Sequence, residues 1–190
     1  PAGGLCRRKG YHRLVELWPD GRREVPGAML FIVGGPTAEG DETETLARMI
    51  REGGLESAVR LVGPKPHEEM QLWLSAADLF ALATTNEGSC NVIREALSCG
   101  TPVVTTHVGD NAEIVREPSC GVLVQPDETS TLARAVIEGL TRVWDREGVR
   151  SSVASESWDG VAARVADVWR STADGGGEEV RVLERSQARS

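Results

Sequence analysis

The 190 residues carry 21 Lys and Arg against 29 Asp and Glu, a net charge of -8, with 40% hydrophobic and 26% charged residues. That composition fits one soluble globular domain with a core of useful size and excludes a disordered chain. The acidic balance leaves no basic surplus to neutralise a phosphate backbone, so no nucleic acid is expected as a partner.

No apolar run approaches the roughly 20 residues of a membrane helix. Residues 1–9 contain no apolar stretch of the signal-peptide kind. The chain lacks an initiating Met, which fits a fragment.

In chain order, Gly3-Gly4-Leu5-Cys6 reads as the end of a strand cut by the start of the chain. Tyr11, Leu14, Val15 and Trp18 then fall on one helical face. Residues 28–33 form a continuous apolar run ending at Gly34-Gly35, the pattern of a strand covered on both faces. Leu46, Met49 and Ile50 predict the next helix, and residues 59–62, stopping at Gly63-Pro64, the next strand. Met70, Trp73 and Leu74 give a helix that His67 caps or opens. Residues 79–83 form a strand, followed by a helix from near Ser89 to just before Gly100. Strands at 102–106 and 121–124 follow, with a helix carrying Leu132, Ala135, Val136 and Leu140, and a last one from Trp158 to Trp169.

Strand and helix in alternation predict an α/β fold, a Rossmann-like three-layer arrangement of a parallel sheet with helices on both faces. Residues 1–149 are expected to be that domain, 150–171 its carboxyl-terminal helix and 172–190 a mobile tail.

Ligands of an open parallel sheet bind beyond the carboxyl ends of its strands. The loop after residues 79–83 stands out there: Asn86-Glu87-Gly88-Ser89-Cys90-Asn91 joins a strand end to a helix start, whose unpaired N–H groups attract phosphate or hydroxyls. Gly88 permits close approach to the backbone. Glu87 and Glu95, eight residues apart, can each accept two hydrogen bonds from a vicinal diol. Spacing alone equally allows capping or solvated surface. Arg7-Arg8-Lys9-Gly10, at the turn after the first strand, can face a diphosphate at the same edge or be a solvated basic turn.

Other chemistries find less support. Cys6, Cys90, Cys99 and Cys120 are scattered, and neither C-x-x-C nor H-E-x-x-H occurs, so no metal is expected. Gly34-Gly35-Pro36 lacks the third glycine of a dinucleotide fingerprint. G-x-S-x-G and the P-loop pattern are missing. His12, His67 and His107 read as packing or surface residues, with His107 within reach of the ligand edge.

Together these segments resemble the carboxyl-terminal domain of retaining glycosyltransferases of family 4, which have the GT-B fold. The likeness spans residues 3–170. It is carried by Leu5 through Lys9-Gly10-Tyr11-His12, by Phe31-Ile32-Val33-Gly34-Gly35, by Ala76-Ala77-Asp78-Leu79-Phe80, by the E-x7-E segment from Glu87 to Leu97, and by Cys99-Gly100-Thr101-Pro102-Val103-Val104 with Gly109 and Glu113-Ile114-Val115. The resemblance implies a nucleotide-sugar donor site that needs no cofactor or metal. In it Lys9 would contact the diphosphate, Glu87 the donor sugar and Glu95 the ribose hydroxyls. Backbone amides of Gly88, Ser89, Cys90 and Asn91 would meet sugar or phosphate, and Pro64 and Lys65 would border the base. Glu87 and Lys9 would be the catalytic pair.

Two departures stand out. Gly4 occupies the place of an arginine common in relatives, for which Arg7 or Arg8 can substitute, and Ser89-Cys90 stands where an aromatic often follows Glu-Gly. The amino-terminal GT-B domain, which would hold the acceptor sugar or lipid-linked glycan, is expected to be absent, and the piece alone to have little or no transferase activity. Two alternatives stay open: a non-catalytic sugar-nucleotide-binding module and a GT-B-like sugar-nucleotide epimerase. The implied location is cytoplasmic, with association to a membrane surface left open.

Overall fold

The computed structural model describes residues 1–126, 128–154 and 158–173. Five parallel strands alternate with helices: α1 (Tyr11–Glu24), β1 (Leu30–Val33), α2 (Thr43–Glu52), β2 (Val59–Gly63), α3 (His67–Ala76), β3 (Phe80–Leu82), α4 (Asn91–Ser98), β4 (Val103–Thr106), α5 (Asn111–Ile114), β5 (Gly121–Val124), α6 (Thr129–Thr141) and α7 (Arg146–Ser151). The α/β architecture anticipated from the alternation is present. β1 pairs with β2, and β3 with β4, which pairs with β5. Ala2 makes an isolated parallel bridge to Val33, on the edge of β1 that β2 leaves free, while Gly3-Gly4-Leu5-Cys6, expected as a strand end, form no strand.

The predicted α1 face is buried in full: Tyr11, Leu14, Val15 and Trp18 are at most 3% exposed. Burying each such side chain is worth about 1.5–3 kcal/mol, so packing rather than propensity holds this helix. It packs on α2 and α6, and α6 reaches β4 and β5. A second group, α3, α4 and α7, packs together, with α4 against β4. Arg146 of α7 ties the second group down, donating to the carbonyls of Ser75 and Ala77 and to the Thr101 hydroxyl.

One expectation fails in detail. Residues 28–33 are not a strand covered on both faces, because the strand is Leu30–Val33 and Phe31 within it is exposed. Phe31 instead leans on Trp73 of α3, ring centroids 5.9 Å apart, at the margin of a cavity of about 570 Å³ toward the amino ends of β1 and β3. β3 and β4 are buried at every position, as their apolar runs predict.

Contacts divide the chain into Pro1–Val153 and Ala154–Ser190. Within the second unit α8 (Trp158–Ala173) covers the expected last helix. The anticipated tail, apart from its first two residues at the end of α8, lies outside the described residues. No described helix is long and apolar enough to cross a membrane.

Candidate functional site

Because the strands are parallel within each of the two sheets, the loops after β1 and β2 gather at one end of the first and those after β3 and β4 at one end of the second. The first component comes from the basic turn. Arg7–Lys9 coil into one turn of 3-10 helix, closed by Lys9 N–H on the Cys6 carbonyl and Gly10 N–H on the Arg7 carbonyl. Gly10 has φ +70°, and a Cβ there would sit 2.0 Å from the Ala83 carbonyl oxygen. Only glycine lets this backbone lie against the end of β3. The Arg8 carbonyl then accepts from the Thr85 amide at 2.9 Å and the Thr84 hydroxyl at 3.1 Å. These bonds place a turn near residue 9 beside a loop near residue 87.

The charges meet across that seam. Lys9 Nζ lies 2.7 Å from Glu87 Oε1, and Arg8 Nη1 lies 3.0 Å from Glu87 Oε2. Arg8 Nη1 also donates to the Asn86 carbonyl at 2.6 Å. The other side of the guanidinium, Nη2 and Nε, donates to Glu39 Oε2 at 2.6 and 3.0 Å. The Glu87 side chain is 5% exposed, so it is a buried carboxylate satisfied by two cations. Arg7 points elsewhere, toward Glu42 at 3.4 Å, and is 67% exposed. Of the two arginines, Arg8 is the one that shares Glu87 with Lys9.

Glu39 and Arg8 shift each other. The hydrogen bond to Glu39 raises the Arg8 pKa, and the hydrogen bond from Arg8 holds the Glu39 carboxyl below its ordinary value. Burial first, then the Glu87 charge, pushes the Cys90 thiol up to about 11. At neutral pH that thiol is protonated.

The second component is the start of α4. Asp110, in the loop after β4, accepts from the Cys90 amide at 3.3 Å and from Arg94 Nη1 at 3.2 Å, while Arg94 also donates to the Ser89 hydroxyl. Next to it, Gly109 has φ +53°, and a Cβ there would come 2.1 Å from the Glu87 carbonyl oxygen. Two consecutive residues of one loop thus back both ends of the turn from Glu87 to Cys90. Among the described residues, the amides of Ser89, Asn91 and Val92 have no acceptor, and Gly88 faces open space. The Cys90 amide, expected to be available, is already engaged by Asp110.

Glu95, a turn into α4, is half-buried, and its carboxylate has no hydrogen-bond or ion-pair partner among the described residues. Pro64 packs close to Gly35, and Lys65 Nζ sits 5.9 Å from the Trp73 ring, so the loops after β1 and β2 meet on the same edge. Sequence reasoning missed Glu39, Arg94 and Asp110. Asp110 is 20 residues from Cys90, and no local pattern links them. Among the described residues no three His, Cys, Asp or Glu side chains gather to hold a metal ion.

A family model described as "Glycosyl transferases group 1" matches residues 2–142. A D-inositol 3-phosphate glycosyltransferase of Corynebacterium urealyticum is 33% identical over 181 residues, covering 89% of this chain and 42% of that protein. A GDP-mannose-dependent alpha-(1-6)-phosphatidylinositol monomannoside mannosyltransferase of Mycobacterium tuberculosis is 32% identical, covering 87% and 45%. Among solved structures, Anabaena HepE in complex with UDP superposes with TM-score 0.74 at 27% identity, covering 89% of this chain and 47% of that one. Sucrose-phosphate synthase from Thermosynechococcus elongatus gives 0.72 at 26%, covering 92% and 46%. The chain therefore spans less than half the length of these relatives, and its fold is that of one Rossmann-like half of a GT-B architecture.

Proposed function

As the chain belongs to the group 1 glycosyltransferases, we propose that it is the donor-binding half of a retaining, family 4-type enzyme that moves a hexosyl group from a nucleotide sugar to an acceptor. The observation that carries this reading is the Lys9–Glu87 contact of 2.7 Å beside the unpaired amides at the start of α4. A cation, a ring of N–H donors and a buried carboxylate converge at the edge where a sheet of this kind binds ligands.

The chemistry follows from where charge develops. Breaking the anomeric C–O bond leaves negative charge on the departing diphosphate and positive charge on the sugar. Lys9 and the amides of Ser89, Asn91 and Val92 are aligned before the reaction starts and stabilise the departing group. Each 1.36 kcal/mol of such stabilisation is worth roughly tenfold in rate. Glu87 already shares its oxygens with Lys9 and Arg8. Its role is therefore to orient the cations and the sugar hydroxyls, not to act as a free nucleophile. Glu95, with no partner of its own, is placed to take the ribose diol. The acceptor sugar or lipid-linked glycan belongs to the other half of the enzyme, and we place the reaction in the cytoplasm.

Relatives named for an inositol phosphate, for GDP-mannose and for UDP support a nucleotide-sugar donor without selecting its base. The test joins this chain to its amino-terminal half and supplies UDP-, GDP- and ADP-sugars with candidate acceptors. Transfer with the anomeric configuration kept is the expected result. Binding without turnover would leave a non-catalytic module, and an inverted ring carbon without acceptor would indicate an epimerase.

A further inference from the structure

Gly4 and the loop after β1 fit each other. A Cβ at Gly4 would meet Thr37 Cγ2 at 2.4 Å, so the bare backbone at position 4 leaves the space that Thr37 fills. Thr37 and Gly40 exchange backbone hydrogen bonds across a tight turn, and the Glu39 amide is held by the Thr37 hydroxyl. Leu5 bonds to Gly35 and Glu42 to Leu5, which fastens both ends of this loop to the opening segment. The turn thereby sets the Glu39 carboxylate on the outer side of Arg8.

We propose that Arg8 is a second diphosphate-gripping residue of the donor site and that Glu39 is its built-in anionic placeholder, displaced when the donor binds. The inference rests on the nucleotide-sugar reading above. Arg8, one residue before Lys9, is fixed on its inner side by the Asn86 carbonyl and by Glu87, which lie on the same loop as the unpaired Ser89 and Asn91 amides. Arg8 and Lys9 are balanced by Glu39 and Glu87, and an incoming diphosphate repels both carboxylates. The Glu87 side chain is 5% exposed and locked by two cations, whereas that of Glu39 is 57% exposed. Glu39 therefore returns to water at the lower cost, and its departure frees two N–H donors, Nε and Nη2, in the fork geometry that suits a phosphate.

Calorimetry on this 190-residue chain with UDP, GDP and ADP, and with the matching nucleosides as controls, tests the proposal. Arg8→Ala is expected to weaken diphosphate binding about tenfold or more and leave nucleoside binding unchanged. Arg8→Lys, which keeps the charge and loses the fork, is expected to fall between. Glu39→Gln is expected to tighten diphosphate binding about two- to fivefold, and to have no effect once Arg8 is replaced. Diphosphate affinity lost in Lys9→Ala but intact in folded Arg8→Ala would overturn the role of Arg8 while preserving the donor site. An unchanged or weakened affinity in Glu39→Gln would overturn the placeholder. Indifference of the nucleotides to both Lys9→Ala and Arg8→Ala would overturn the donor reading itself.

Discussion

The two ends of the segment from Glu87 to Glu95 are built on opposite plans. Glu87 is sealed, with a lysine and an arginine on its two oxygens and a glycine pressed against its carbonyl. Glu95 is half-buried and has no partner among the described residues. The same residue type, once in the loop before α4 and once a turn inside it, eight residues on, is thus satisfied within the protein in one place and left open in the other. A carboxylate satisfied inside the protein can position its cations before any ligand arrives. One that is left unsatisfied gains hydrogen bonds only when hydroxyls are delivered to it.

That contrast is most directly broken at Gly10. A side chain there would need a left-handed backbone and would strike the Ala83 carbonyl at 2.0 Å, parting the basic turn from β3. Gly10→Ala is expected to cost about 3 kcal/mol or more, read as a lower denaturant midpoint, and to abolish nucleotide binding. Glu87→Gln is the next step down. It strips the buried counter-charge from Lys9 and Arg8, for an expected loss of about 2–3 kcal/mol of stability in chemical denaturation. Transfer in the joined enzyme should collapse, while affinity for the bare nucleoside diphosphate should not fall. If the diphosphate also dissociates, Glu87 serves by holding Lys9 and Arg8 in place for the phosphates rather than by meeting the sugar.

Glu95→Ala sharpens the other side. Stability should stay within about 0.5 kcal/mol, since no interaction is lost, yet nucleotide affinity should drop by about 1.5–3 kcal/mol. A variant that melts early but binds normally would make Glu95 a structural residue. The smallest expected effect lies beneath the basic turn, where His12 Nδ1 is 3.5 Å from Glu42 Oε2. Burial and then the Arg7 charge lower the His12 pKa below its ordinary 6.5, outweighing Glu42 and Glu16, which raise it. The unfolded chain therefore binds more protons between 6.5 and the lowered value. The contribution of His12 is complete above pH 6.5 and is lost as pH falls through that window. His12→Asn should flatten the slope of stability against pH there, and an unaltered slope would assign the acid sensitivity to other groups.

Much of this was legible in the residues. Gly121 to Val124 reads as β5 at both ends, and His67 opens α3 as anticipated. The helix expected from Ser89 starts two residues later, at Asn91, where Asp110 holds the Cys90 amide. That Arg8 and not Arg7 meets Glu87 was not legible, because it depends on how one 3-10 turn rotates adjacent side chains. Phe31 shows a different limit: a wholly apolar run does not reveal that one member faces an open margin beside Trp73. Glu39 escaped notice because its partner is 31 residues away and is reached only through the Thr37 turn.

Gly109 and Asp110 act as a mould for the turn from Glu87 to Cys90, to which neither of them belongs. Lengthening or shortening that mould would reshape the cradle between Glu87 and Cys90 while every residue of the cradle stayed the same. In the proposed donor site, preference can therefore drift through changes written one strand downstream of the acidic segment, where a comparison limited to signature residues would register nothing.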